Sequence, residues 1–207
     1  MPYGYLGTQP NQTVKNTGVL SVTEAAELQS QGKLGGSLEL IEEIDQTISV
    51  STIEFTNLGN YDVHLLQYAE VQGGSAELQA RLSNDGGSSY ISSSNYQYAM
   101  VFGQAGGSFG DRNSTSETKF VRLAKTGNNT GNTGQGYTYF YNLLNNSKYS
   151  FSTTQNTSMD NNPYYIMQFG GQVLAVAETH NAIQIFQSTG TLRGNFKLFG
   201  IKQIWVT

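Results

Sequence analysis

The sequence predicts an all-β fold, an antiparallel sandwich or barrel entered through an N-terminal arm. Three observations carry this. Clusters of Gly, Asn, Ser and Asp recur every ~8–15 residues between short runs rich in Val, Ile, Leu, Phe and Tyr. Nowhere do long helical periods alternate with those runs, which excludes a regular α/β pattern. One short helix signal is present, and it sits near the start.

Residues 1–20 show no sustained period and read as an extended arm. A helix is expected over about 22–31. Ser21 can cap the free amides of its first turn, Glu24 can reach back to the Ser21 amide, and Gly32 supplies a left-handed stop. Gly35-Gly36 reads as a hinge, dividing the chain into a docking arm, 1–36, and a β head, 37–207.

The first strand candidate in the head is Ser37–Glu43, with Leu38, Leu40 and Glu42 on one face. Thr47–Thr56 follows. Its apolar positions change phase between Ile48/Val50 and Ile53/Phe55, which predicts a β-bulge near Ser51-Thr52. Asp62–Val71 is next, then Ala76–Ser83, where Ala76, Leu78, Ala80 and Leu82 alternate cleanly. Tyr90–Phe102, Lys119–Lys125, Gly136–Leu144 and Lys148–Gln155 continue the series. Tyr164–Phe169 and Gln172–Ala177 are separated by Gly170-Gly171, and Ala182–Gln187 is short and apolar. Leu192–Val206 is the most regular run, with Leu192, Phe196 and Leu198 on one face, and is expected to be a central strand. Phe102–Ser116 and Thr126–Gly136 have no apolar period and read as long polar loops.

Composition narrows function. Only 13% of the 207 residues are charged, about half the usual share. The net charge is −4 and the 11 basic residues are scattered, so no nucleic-acid surface is expected. Without cysteine there is neither a disulfide nor a thiolate metal site. No apolar run approaches the ~20 residues of a membrane helix, so no membrane insertion is expected. Met1-Pro2-Tyr3-Gly4-Tyr5 has neither the basic nor the apolar region of a secretory leader.

Motifs for chemistry are sparse. Ser83-Asn84-Asp85-Gly86-Gly87-Ser88-Ser89-Tyr90 resembles the Asp-box turn of sialidase-like propellers, but it occurs once and reads as a structural hairpin turn. His64 and His180 lie far apart in sequence, without metal-ligand spacing. Glu42-Glu43-Asp45 is the densest acidic group and reads as an exposed strand end. Gly103-Gln104-Ala105-Gly106-Gly107 lacks the Gly-Lys-Ser/Thr ending of a phosphate loop, and no Gly-x-Ser-x-Gly elbow occurs. No catalytic residue, cofactor or metal is expected, so the chain reads as a non-enzyme. The aromatic clusters are more informative. Tyr137, Tyr139 and Tyr141 alternate on one face, Tyr96 and Tyr98 share another, and Phe109 stands in a polar loop. Tyrosine suits sugar- and protein-binding surfaces, and the same alternation suits cross-strand pairing on a half-wet sheet.

Several stretches taken together resemble virion structural proteins of tailed phages, marine and cyanobacterial phages in particular. They are Asn16 to Val22, Gly35 to Glu43, Phe55-Thr56-Asn57-Leu58, Tyr61 to Leu66, Tyr149 to Thr153, and the ending Gly190-Thr191-Leu192 with Lys197 to Lys202. The resemblance implies a jelly-roll-like sandwich and a trimer by analogy. It implies localisation to the virion after assembly in the host cytoplasm. The expected function is that of a tail fibre or tail-associated appendage docked on other virion proteins by its arm, with Tyr3, Tyr5, Leu20, Val22 and Leu28 as candidate docking residues. The candidate outer contact surface is Tyr96, Tyr98, Phe109, Tyr137, Tyr139 and Tyr141, facing a host-surface polysaccharide. A capsid decoration protein and a carbohydrate-binding module are the alternatives.

Overall fold

The computed structural model describes residues 38–201, apart from 160, 162 and 163, together with Thr23. The expected helix, apart from Thr23, and the candidate docking residues Tyr3, Tyr5, Leu20, Val22 and Leu28 lie outside the described residues.

The described body is all-β. In chain order its strands are β1 (Leu38–Val50), β2 (Thr52–Phe55), β3 (Val63–Gly73), β4 (Ala76–Ser83), β5 (Tyr96–Gln104) and β6 (Ser108–Glu117). They continue with β7 (Phe120–Thr126), β8 (Gly134–Tyr141), β9 (Tyr149–Met159), β10 (Tyr165–Ala177), β11 (Ala182–Gln187) and β12 (Leu192–Ile201). Two antiparallel sheets result. The large one has the order β1-β12-β3-β8-β9-β10-β5-β6, and the small one β2-β11-β4-β7.

One core lies between them. Leu66, Tyr68, Phe140, Phe196 and Leu198 of the large sheet meet Phe55, Leu78, Leu82, Phe120 and Ile185 of the small one. Each such side chain, fully buried, stabilises by roughly 1.5–3 kcal/mol relative to exposure. Tyr96 packs edge-on against Phe120 at 5.0 Å, and Phe120 meets Phe140 at 5.8 Å.

Polar groups of the large sheet also hold the free edge of the small one. The Gln172 side chain accepts from the Val121 amide (2.8 Å) and donates to the Val121 carbonyl (2.9 Å), acting as a substitute strand for β7. Asn156 Nδ2 donates to the Arg122 carbonyl at 3.1 Å, and the Tyr68 hydroxyl donates to that of Leu123. Arg122 has a left-handed φ of 57°, at the irregularity in the β4–β7 ladder.

Three expectations change. The phase slip at Ser51-Thr52 is a corner, not a bulge: β1 ends at Val50 in the large sheet and β2 starts at Thr52 in the small one. Phe102–Ser116 is not a loop but most of the β5–β6 hairpin, turning at Ala105–Gly107. β6 is an edge strand with no buried residue, so no apolar period marks it. Gly170-Gly171 does not separate two strands. β10 runs straight through, and a Cβ at Gly170 would lie 2.4 Å from the Ala99 carbonyl oxygen and 2.6 Å from Met100 Cα. Glycine there serves a close strand approach rather than a turn.

Candidate functional site

The outward face of β8, β9, β10 and β5 is the candidate site. Cross-strand register fixes which residues share it. Tyr139 lies opposite Thr153, Thr153 opposite Gly171, and Gly171 opposite Ala99. One step along, Phe151 faces Tyr141 and Val173; one step the other way, Gln155 faces Tyr137 and Phe169.

Strand β9 is inverted relative to an ordinary sandwich strand. Ser150, Ser152, Thr154, Asn156 and Ser158 point inward and are buried. Tyr149 and Phe151, on the opposite face, are 47% and 45% exposed. Phe169 on β10 and Tyr137 on β8 are exposed as well. Sheets normally place apolar residues inward, and a one-residue slip would do so here. Inward hydrogen bonds favour the observed register: Thr138 pairs with Thr154 at 2.9 Å, and Asn156 holds β7.

The tyrosines are tethered. Tyr137 donates to Gln155 Oε1 at 2.7 Å, and the Tyr141 hydroxyl pairs with Thr153 Oγ1 at 3.0 Å. Both rings therefore lean across from β8 onto β9. Tyr139 and Tyr141 stack at 6.3 Å with 24° between their planes, and Tyr137 meets Tyr139 edge-on at 5.7 Å. Small residues between the bulky rows leave an open trough of about 510 Å³ over Thr153, Gly171 and Ala99, walled by Phe151 and Val173. A second hollow of about 430 Å³ lies beyond Gln155, against Tyr137 and Met167.

No outward position from β8 through β5 is Asp, Glu, Lys or Arg. The outer side of the small sheet differs, with Glu54, Glu77, Arg81 and Arg122 among its residues, and Arg122 paired to Glu77 at 2.7 Å.

Of the expected contact residues, Phe109, Tyr137, Tyr139 and Tyr141 share this outer face; Phe109 is 80% exposed and covers Gly103. Tyr96 does not belong there. It is wholly buried, its hydroxyl accepting from the Leu82 amide and donating to the Ile91 carbonyl. Tyr98 occupies the same inward side as Tyr96, half-buried. Alternation correctly put them on one face, but it is the core face. Phe151, Phe169, Gln155 and Gly171 were not singled out by sequence. The signal was present in Tyr149-Ser-Phe151-Ser-Thr153, which alternates aromatic and small polar residues.

The other motifs resolve as scaffolding. Asp85 accepts from Ser83 Oγ (2.7 Å), the Ser89 amide (2.9 Å) and Ser89 Oγ (2.6 Å). These bonds, Ser89 foremost, lower its pKa to about 2. The turn is not a hairpin: it joins β4 of the small sheet to β5 of the large one. Glu43 pairs with Lys197 (3.1 Å) and accepts from Asn195 (3.0 Å), tying β1 to β12, and these contacts lower its pKa. The cluster therefore lies within a strand rather than at its end.

His180 has the partners of a hydrolytic triad, with Ser150 Oγ 2.7 Å from Nδ1 and Glu178 Oε1 3.4 Å from Nε2. Ser150 and His180 are completely buried, however, so a substrate cannot reach the hydroxyl. The group ties β9 to the loop before β11. His64 is buried too, its Nε2 donating to the Leu58 carbonyl at 2.8 Å. Burial lowers the pKa of both histidines. Among the described residues no three His, Asp or Glu side chains converge as metal ligands.

Comparison with family models, curated proteins and solved structures finds no match.

Proposed function

We propose that this chain is a non-enzymatic attachment module of a tailed-phage virion. In this reading it is a tail fibre or tail-associated appendage, docked by residues 1–36 and presenting the outer face of its large sheet. The observation that carries the reading is the inverted strand β9. Exposed Phe151 and Tyr149 over buried serines forgo burial that would stabilise folding, so a surface role explains them better than packing does.

The strand order supports a jelly-roll-like head. Set aside β5, β6, β9 and β10, and two four-stranded sheets remain, β1-β12-β3-β8 and β2-β11-β4-β7. In chain order the eight remaining strands alternate between the sheets except at β4 and β7, which both belong to the small one, in the manner of a double Greek key. The four extra strands extend one sheet past its partner, and three of them carry the candidate face. The complete burial of Ser150 and His180 supports a non-enzymatic role.

Quantitative mass spectrometry of purified particles tests the proposal. A low copy number, and loss of the protein from particles when residues 1–36 are deleted, are expected. A copy number comparable with that of the capsid protein would favour the decoration alternative, and absence from particles would refute both.

A further inference from the structure

We infer that the trough over Thr153, Gly171 and Ala99 is a binding site for a neutral glycan chain, lying across the strands from β9 to β6. The inference rests on the attachment reading above and names what is attached.

Shape comes first. The floor residues sit on neighbouring strands about 4.8 Å apart, so the trough crosses the sheet at right angles to the strands. Its walls stand two residues to either side, which places their backbones about 13 Å apart. Once the wall side chains are subtracted, a single file of sugar rings fits, whereas a folded protein surface has only the rims to meet. The floor is low because Gly171 has no side chain and Ala99 has only a methyl group.

Chemistry comes second. A pyranose presents one C–H face and an equatorial belt of hydroxyls, so its site needs an aromatic plane beside neutral donors and acceptors. Phe151 lines the trough, and the stacked Tyr139–Tyr141 pair stands beside its β9 end, Tyr141 opposite Phe151 and Tyr139 opposite Thr153. The hydroxyl tethers to Gln155 and Thr153 hold Tyr137 and Tyr141 in place before binding, which lowers the entropy lost on association. Gln97 on β5 and Asn113 on β6, at the far end of the trough, supply uncharged polar atoms. No outward cation from β8 through β5 offers an anchor to a sulfated or uronic chain. Asp111, outward on β6 opposite Val101, is itself anionic, and with no cation facing it the site selects a neutral glycan.

The structure also provides a clean perturbation. A Cβ added at Gly171 meets nothing nearer than the Ser152 carbonyl oxygen at 3.7 Å, an ordinary contact. Gly171→Val therefore fills the floor while leaving every aromatic group in place, and valine suits a strand.

The test is affinity electrophoresis of the purified full chain through gels containing dextran, laminarin or galactomannan, with alginate and dextran sulfate as anionic probes. Retardation by at least one neutral polysaccharide and by neither anionic one is expected. Gly171→Val and Phe151→Ala should each weaken it at least tenfold, with unchanged melting temperatures. Glu54→Gln, on the small sheet, should bind like the parent. The inference is overturned by failure of all three neutral probes, by equal retardation in the anionic gels, or by full binding in both trough variants. A parent dimer that Gly171→Val dissociates would also overturn it, by assigning the face to a second copy. None of these outcomes depends on whether the chain is found in particles, so the glycan site and the virion role can fail separately.

Discussion

Gln172 should be worth as much to stability as a core leucine, although it is polar. Its amide group spans the Val121 amide and carbonyl at 2.8 and 2.9 Å in a site where Gln172 itself is 4% exposed. β7 is the edge of the small sheet, so no neighbouring strand replaces those bonds. Gln172→Leu keeps most of the volume and removes both partners, leaving one buried donor and one buried acceptor unmet. At roughly 1–3 kcal/mol for each stranded group, the loss is about 2–6 kcal/mol. A domain of this size has a total of ~5–15 kcal/mol, and at about 2–4 °C per kcal/mol the midpoint of thermal unfolding should drop by about 4–24 °C. Urea denaturation of parent and variant gives the free-energy difference. Hydrogen exchange at Val121 gives the local effect, a marked loss of protection. A difference below about 1 kcal/mol would refute the idea that this side chain acts as a surrogate strand. Gln135→Leu, an exposed position on β8, is the control and should change little.

Phe196→Ala empties a fully buried site on β12 and should destabilise by about 3–5 kcal/mol in the same urea assay. Gly170→Ala forces a methyl against the β5 backbone and should cost about 1–3 kcal/mol, whereas Gly171→Ala should be nearly neutral; equal effects would contradict the packing described. His64 and His180 have lowered pKa values in the fold, so the unfolded chain binds more protons just below the ordinary histidine pKa of about 6.5. Their contribution is full above that pH and declines as pH falls below it, so denaturation midpoints should drop between pH 7.5 and 5. A flat profile would count against the buried neutral rings. Asp85 acts at lower pH. Its contribution is present above about 3.8 and is lost as pH falls towards 2, and Asp85→Ala should abolish that acid-limb change.

Strands that bury an apolar set announced themselves. Ala76–Ser83 and Ala182–Gln187 were legible to the residue, because buried Leu78, Leu82, Ile183 and Ile185 stand between polar turns. β6 was illegible for the opposite reason. Ser108–Glu117 has no buried residue, and its extended state comes from pairing with β5 rather than from its own side chains. Gly170-Gly171 misled because a glycine pair marks a turn far more often than a crowded strand crossing. For the site, alternation placed Tyr137, Tyr139 and Tyr141 together, yet alternation assigns faces without saying which is wet. Tyr96 was therefore misplaced, and Phe151 passed unnoticed on a strand whose inner face is serine and threonine.

The cost of that inner face bears on what the outer face is for. Burying Phe151 and Tyr149 instead of exposing them would add about 1.5–3 kcal/mol each, a large share of a typical stability. The inward Ser150, Ser152 and Ser158 bury little apolar area in exchange. On aromatic burial alone the slipped register would gain. The observed one is held by a few specific bonds, from Asn156 and Gln172 to the β7 backbone and from Thr138 to Thr154. Strands β9 and β10 therefore give up stability and keep aromatic rings on their outward side, where neither strand carries a charge. A module selected only to pack has no use for that trade, whereas one selected to bind through the trough does.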